Sequence, residues 1–132
     1  MMECVYRTNI IGQLLVVKAF ADLLKAGNNP RIANISSGAG SLEEQENNAG
    51  MIAYCSSKAG LNMVTRKIAA ELGDAGIITV TINPGWVKTD MGGSNADLEP
   101  SQSGSNLVKT FAALNAEHNG KFYNYDGASM PW

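Results

Sequence analysis

The sequence predicts an α/β fold built on a parallel, doubly wound sheet of three strands and three helices. Two observations carry this. Long stretches with apolar residues at helical spacing alternate with short apolar runs, several of them rich in β-branched residues. Each stretch also ends on a Gly, Asn or Pro turn signal, in the order α-β-α-β-α-β. Such an order is met by parallel strands joined through helical crossovers.

The first helix is read over residues 2–25. Ile10, Leu14, Val17, Ala21 and Leu24 fall at helical spacing, and Ile11, Leu15 and Leu23 widen the stripe enough to touch more than one neighbour. Gly27-Asn28-Asn29-Pro30 stops it. Arg31 to Ile35 is a short buried strand. Ser36 to Gly50 is a polar loop whose acidic run, Glu43-Glu44-Gln45-Glu46, is expected to be solvated. A second long helix spans residues 51–72, with Leu61, Val64, Ile68 and Leu72 as its stripe. Ile77 to Ile82 is β-branched throughout and makes the second strand, ended by Asn83-Pro84-Gly85. Gly92 to Gly104 is small and polar and is expected to be mobile. A third helix follows from about Ser105 to Glu117, then a third strand from Lys121 to Tyr125.

Composition narrows the function classes. Apolar residues make up 45% of the 132 residues and charged residues 17%, so a core can form in one domain. A net charge of −2 without a basic stripe argues against a nucleic-acid partner. Cys4 and Cys55 form no CxxC pair and are expected as buried or half-buried free thiols in a reducing compartment. His118 is the single histidine, expected on the surface late in a helix, so neither a multi-histidine metal site nor a Ser-His-Asp triad is supported. No stretch is apolar for the length of a membrane span and the start has no signal-peptide shape, which leads to the expectation of a cytoplasmic protein.

Chemistry should sit at the carboxyl ends of the strands, in Ser36–Gly40, Gly85–Gly93 and Asp126–Trp132, and above all in the first two. Tyr54 and Lys58 stand four apart and share a helix face. A free phenol has a pKa near ~10, and an adjacent ammonium stabilises its anion, so the pair can act as an acid/base. Such a pair is also common as surface decoration, and context has to decide. Ser36-Ser37 offers hydroxyls at a strand end, either towards a substrate or as a cap on the next turn. Asn9 lies mid-helix with Gly12 close behind, and glycine there costs about 1 kcal/mol relative to alanine. A polar kink in an apolar helix has either a functional reason or a local one, a side chain bonded to the preceding turn.

Together these segments resemble the short-chain dehydrogenase/reductase family. They are Thr8-Asn9-Ile10-Ile11-Gly12, Asn34-Ile35-Ser36-Ser37-Gly38-Ala39-Gly40, Tyr54-Cys55-Ser56-Ser57-Lys58-Ala59-Gly60 and Asn83-Pro84-Gly85-Trp86-Val87-Lys88-Thr89-Asp90. The run from Pro84 to Gly93, the ending Gly120 to Trp132 and the long loop after Ser37 are similar to its C-factor and sniffer-type carbonyl reductase branch. The resemblance implies the C-terminal half of a Rossmann-type sheet and an oxidoreductase that interconverts a carbonyl and an alcohol with NADP or NAD, NADP being the slightly favoured choice. It implies Tyr54 as proton donor and acceptor, Lys58 as support for the Tyr54 phenolate and ligand of the nicotinamide ribose, and Ser37, ahead of Ser36, as the group orienting the substrate oxygen. Asn9 would hold a water that relays protons from Lys58. Pro84, Gly85, Val87 and Thr89 would meet the nicotinamide and a nearby phosphate. The helices 2–25 and 51–72 would pair two copies of the chain.

The family's Gly-rich phosphate loop has no counterpart in the sequence. Asn47-Asn48-Ala49-Gly50 looks like a family motif that belongs ahead of the Asn9 helix, and it is read instead as a turn-rich loop leading into the Tyr54 helix. The whole of 1–132 is therefore expected to be a truncated domain lacking the dinucleotide-binding half, with a bare apolar edge on the Arg31–Ile35 strand. The competing reading is a non-catalytic remnant that serves as a dimerisation or interaction module. A hydrolase using Ser37 fails for lack of Gly-x-Ser-x-Gly and a suitable histidine.

Overall fold

A computed structural model describes residues 1–45 and 49–132. Glu46 of the acidic run and Asn47-Asn48 of the rejected motif lie outside the described residues. The three strands are β1 (Arg31–Ile35), β2 (Ile78–Asn83) and β3 (Phe122–Asn124), in the order β1-β2-β3. Both pairings are parallel, from Arg31↔Ile78 to Ile35↔Ile82 and from Thr81↔Phe122 to Asn83↔Asn124. The α/β parallel architecture expected from the alternating pattern is present.

The two faces of β2 explain the layers. Ile78, Val80 and Ile82 point to one side, where Leu107, Phe111 and Leu114 from the helix α4 (Pro100–Ala113) and its end cover them with Tyr123. On the other side lies α3 (Ile52–Leu72), whose Ile68 meets Ile32 and Ile77 together with Val17 from α2 (Gln13–Ala26). Burying each such side chain contributes about 1.5–3 kcal/mol. The stripe Leu61, Val64, Ile68 and Leu72 is therefore the inward face of α3, with Leu61 and Ile68 fully buried. The threonines Thr79 and Thr81 alternate with the apolar residues of β2 and are also buried, and neither hydroxyl has a hydrogen-bond partner.

The first helix is not the uniform one expected over 2–25. It runs as α1 (Met2–Tyr6), then a π-helical turn over Arg7–Gly12, then α2. The π turn coincides with the two residues, Asn9 and Gly12, that disfavour a regular helix interior. The widened stripe is also placed differently from expectation. Val17 is buried, but Ile11, Leu15, Val16, Phe20 and Leu23 are 49–68% exposed, so one side of α2 is a bare apolar face.

Other departures have local causes. Gly92 to Gly104 is not a loose linker: Val87 bridges Leu98, the Lys88 and Leu98 amides donate to the Leu98 and Trp86 carbonyls at 2.8 and 3.1 Å, and Ala96 is buried. Its last residues already belong to α4. That helix begins at Pro100, five residues earlier than expected, because Glu99 and Gln102 cap its start reciprocally and Pro fits the first turn. Cys4 is exposed rather than buried, since α1 buries none of its residues, while Cys55 is half-buried. His118 sits in a separate short turn, Ala116–His118, and rests half-buried against the Tyr123 ring at 5.3 Å. The outer edge of β1 carries no strand among the described residues, and Ile35 there is 43% exposed. No described helix is long and apolar enough to cross a membrane.

Candidate active site

A cavity of about 700 Å³ opens at the carboxyl ends of β1 and β2, where an open α/β sheet binds its ligands. Its walls come from the turn after β1, the start of α3 and the chain from Asn83 to Gly92. Among the described residues, no charged side chain lines it.

The turn after β1 presents Ser37. Ser36 continues the ladder, its amide donating to the Ile82 carbonyl at 2.7 Å, and its buried hydroxyl donates to the Lys58 carbonyl at 3.4 Å. Ser37 then caps the short helical turn Gly38–Gly40 by accepting the Ala39 amide at 3.1 Å. The capping alternative and the substrate-facing alternative thus coexist. The Ser37 oxygen is an acceptor in the cap, so its own proton is free for a group in the cavity. The turn can lie this close to α3 because Gly40 has no side chain: a Cβ there would stand 2.8 Å from the Lys58 carbonyl carbon and 2.9 Å from its Cβ.

Tyr54 lies in the first turn of α3 and lines the same cavity as Ser37. Lys58 is not a lining residue. Its Nζ stands 5.7 Å from the centre of the Tyr54 ring and donates to the Ile35 carbonyl at 3.0 Å. Burial of this half-covered ammonium lowers the Lys58 pKa. Asn9 also lies outside the cavity. Its Nδ2 donates to the Ser57 hydroxyl at 2.9 Å, and that hydroxyl donates to the Tyr54 carbonyl at 2.7 Å. Ser57 is fully buried, so Asn9 reaches the Tyr54 turn through a two-bond chain across a buried hydroxyl. Tyr6 ties α1 to the same turn by donating to Ser56 at 2.7 Å.

Pro84, Gly85, Val87 and Thr89 all line the cavity. Gly85 has φ +81°, and a Cβ there would stand 2.5 Å from Leu98 and 2.8 Å from Tyr125, so only glycine makes this turn. Asn83 accepts the Gly85 amide at 3.3 Å while donating to Asn124 at 3.0 Å. The Pro84 carbonyl is held by the Ser103 hydroxyl at 2.7 Å. Beyond it, the Trp86 indole donates to the Gly92 carbonyl at 2.8 Å and the Gly92 amide to the Thr89 hydroxyl at 3.1 Å, which fixes Val87 and Thr89 in a tight loop. Trp86 and Met91 line the cavity inside the expected segment Gly85–Gly93, though neither was singled out; Met51 and Asn83 as lining residues and Ser57 as the partner of Asn9 were missed. Trp86 carried a signal, an aromatic residue directly after the Pro-Gly turn; the Asn9–Ser57 pairing spans 48 positions and carried none.

The parallel sheet, the Tyr54–Lys58 helix and the strand-end serine define a class. Residues 1–99 match the short chain dehydrogenase family model, and the chain belongs to that family. Among curated proteins, C-signal of Myxococcus xanthus is 38% identical over 131 residues, covering 99% of this chain and 78% of that protein. Among solved structures, the carbonyl reductase Sniffer of D. melanogaster superposes with a TM-score of 0.91 at 36% identity, covering 96% of this chain. An NADPH-bound carbonyl reductase from chicken fatty liver gives 0.93, also at 36% identity, over 99% of this chain. The chain spans 55% and 57% of the length of those two structures. Its sheet is accordingly a Rossmann-like α/β fragment.

Proposed function

We propose that residues 1–132 form the catalytic half of an NADP(H)-dependent oxidoreductase that interconverts a carbonyl and an alcohol. The observation that carries this is the one cavity lined by both Ser37 and Tyr54, with Lys58 Nζ 5.7 Å from the centre of the Tyr54 ring. The cavity fits the nicotinamide end of a dinucleotide: among the described residues it is lined by small polar and apolar groups, with no charged side chain. When bound, the nicotinamide supplies or accepts the hydride. Lys58 would bind the adjoining ribose with the Nζ protons not given to Ile35, and Val87 and Thr89 would face the carboxamide and a phosphate.

In the reducing direction the Ser37 hydroxyl donates a hydrogen bond to the substrate carbonyl oxygen and fixes its position. The Tyr54 phenol gives that oxygen its proton, and the Lys58 ammonium attracts the negative charge that develops on the phenol oxygen. Asn9 holds the Tyr54 turn through Ser57 and takes part in the water relay from Lys58. The preference for NADP over NAD draws support from the NADPH bound in the chicken structure. Residues 1–132 contain no Gly-rich phosphate loop, so on their own they should bind cofactor weakly. A cytoplasmic setting fits the two free thiols.

The test is calorimetric titration with NADPH and NADH, then turnover on a panel of aldehydes and ketones. Both are done on the chain alone and on the chain fused to a relative's dinucleotide-binding half. The fusion should turn over carbonyls and lose activity about 100-fold or more in Tyr54→Phe. A fusion that binds NADPH yet reduces no carbonyl refutes the enzymatic reading.

One observation favours a second reading, a pairing module. The bare face of α2, with Leu15 59% and Phe20 54% exposed, and the exposed Met63 of α3 place apolar surface on both long helices, as a homodimer through them requires. Sedimentation should then give a dimer that Leu15→Glu converts to monomer.

A further inference from the structure

The Ser37 turn is held from two sides, and only one of them belongs to the helix that carries Tyr54. On the α3 side, Gly40 lies against the Lys58 backbone and its carbonyl accepts the Asn62 amide at 3.1 Å. On the other side lies the segment Ala128–Trp132. It doubles back along β3, the Asn124 amide donating to Ala128 at 2.8 Å and the Met130 amide to Phe122 at 2.9 Å. The Met130 methyl then lies 3.8 Å from where a Gly38 Cβ would stand. The Trp132 carbonyl accepts the Glu43 amide at 3.1 Å, closing the segment onto the loop that follows the turn.

One side chain anchors this arrangement. The Trp132 ring stacks on the buried Phe122 at 5.6 Å, and the Arg66 guanidinium of α3 lies 5.2 Å from its centroid. Ring stacking and a cation–π contact both favour one fixed placement of the indole. Ala128–Met130 is paired to β3 through the antiparallel bridge Tyr123↔Ser129, and past Met130, where that pairing ends, the Trp132 contacts hold the segment. The turn itself is a three-residue helical turn, closed by the Gly40 and Ser41 amides on Ser37 and Gly38, a geometry too short to hold itself.

We propose that Trp132 is a positioning residue for Ser37: its indole, held between Phe122 and Arg66, pins Met130 and the Trp132 carbonyl against the Gly38–Glu43 loop and so sets the direction of the Ser37 hydroxyl. The proposal rests on the reading of Ser37 as the group that orients the substrate. It asks of Trp132 something a general core contact does not supply, namely a stiffening confined to one turn.

Hydrogen exchange on the chain itself, read amide by amide, tests it without any need for turnover. In Trp132→Ala the Ala39, Gly40 and Ser41 amides should exchange about tenfold faster, while Val80 and Ile82 in β2 keep their rates. Trp132→Phe, which can stack on Phe122 and face Arg66, should restore the turn to within about threefold. Arg66→Gln should give a smaller acceleration at the same amides, and it serves if Trp132→Ala does not fold. Unchanged turn amides, equal acceleration in β2, or a Phe variant no better than Ala would each overturn the proposal. Turnover of Ser37→Ala in the fused protein separately tests the reading of Ser37: full activity there sinks that reading and leaves the exchange result standing.

Discussion

Replacing Gly40 with alanine should damage this fold more than any exposed substitution, because the added methyl meets backbone. The new Cβ would stand 2.8 Å from the Lys58 carbonyl carbon, 2.9 Å from the Lys58 Cβ and 3.1 Å from the Ala59 amide nitrogen. None of these is the far end of a flexible side chain. The turn and α3 must therefore separate by several tenths of an ångström, straining the Asn62–Gly40 bond at 3.1 Å and the Ser36–Lys58 bond at 3.4 Å. Overpacking of this kind costs about 1–3 kcal/mol. For a domain of this size each kcal/mol moves Tm by roughly 3–5 °C, so the loss should lie between roughly 3 and 15 °C. Thermal unfolding followed by circular dichroism measures it. A Tm within one degree of wild type would show that the turn does not press on α3, and the account of how Ser37 is placed would fall with it.

Three further outcomes follow from the same geometry. Gly104 lies inside α4 with nothing within 4 Å of a built Cβ, so Gly104→Ala should stabilise by about 0.4–1 kcal/mol, seen as a higher Tm. Thr81→Val removes a hydroxyl that is fully buried and unpartnered, and should stabilise by about 1 kcal/mol in urea unfolding. Lys58→Met should abolish turnover in the fused protein without loss of stability at neutral pH. The folded state lowers the Lys58 pKa from 10.5 by desolvation, so its burial disfavours folding below the lowered value. That penalty is relieved as pH rises from there towards 10.5, and the advantage of methionine should shrink over the same window in paired denaturation curves.

The fold was legible where the pattern was local. Ile77–Ile82 is β-branched at every position and α3 keeps its stripe from Leu61 to Leu72, about three turns, so strand, helix and order could be read from one sequence. Tyr54 and Lys58 were legible for the same reason: four positions on one helix fix their relation. What escaped depended on pairing across the chain. Nothing near Leu98 announces that it bridges Val87, so an ordered loop looked like a loose one. The start of α4 was readable in principle, since Glu99-Pro100 with Gln102 is a helix-opening pattern, but proline beside small polar residues reads equally as a turn. Asn9 and Gly12 were visible as an anomaly; that the anomaly is a change of helix type could be seen only once Asn9 was found opposite Ser57.

That change of helix type has a consequence in phase. A π turn accommodates one residue more than the α-helical path, and one residue is worth about 100° of rotation about the helix axis. Tyr6 and Asn9 meet Ser56 and Ser57 only in the frame the π turn sets, while Val17 faces Ile32 in the frame that follows it. Deleting a single residue between Arg7 and Gly12 would let the segment close into regular α-helix. The two frames would then merge, and either the serine pair or the sheet would lose its partner. The turn thus works as a phase shifter, and the spacing between Asn9 and Val17 is set by a count of residues rather than by their identity.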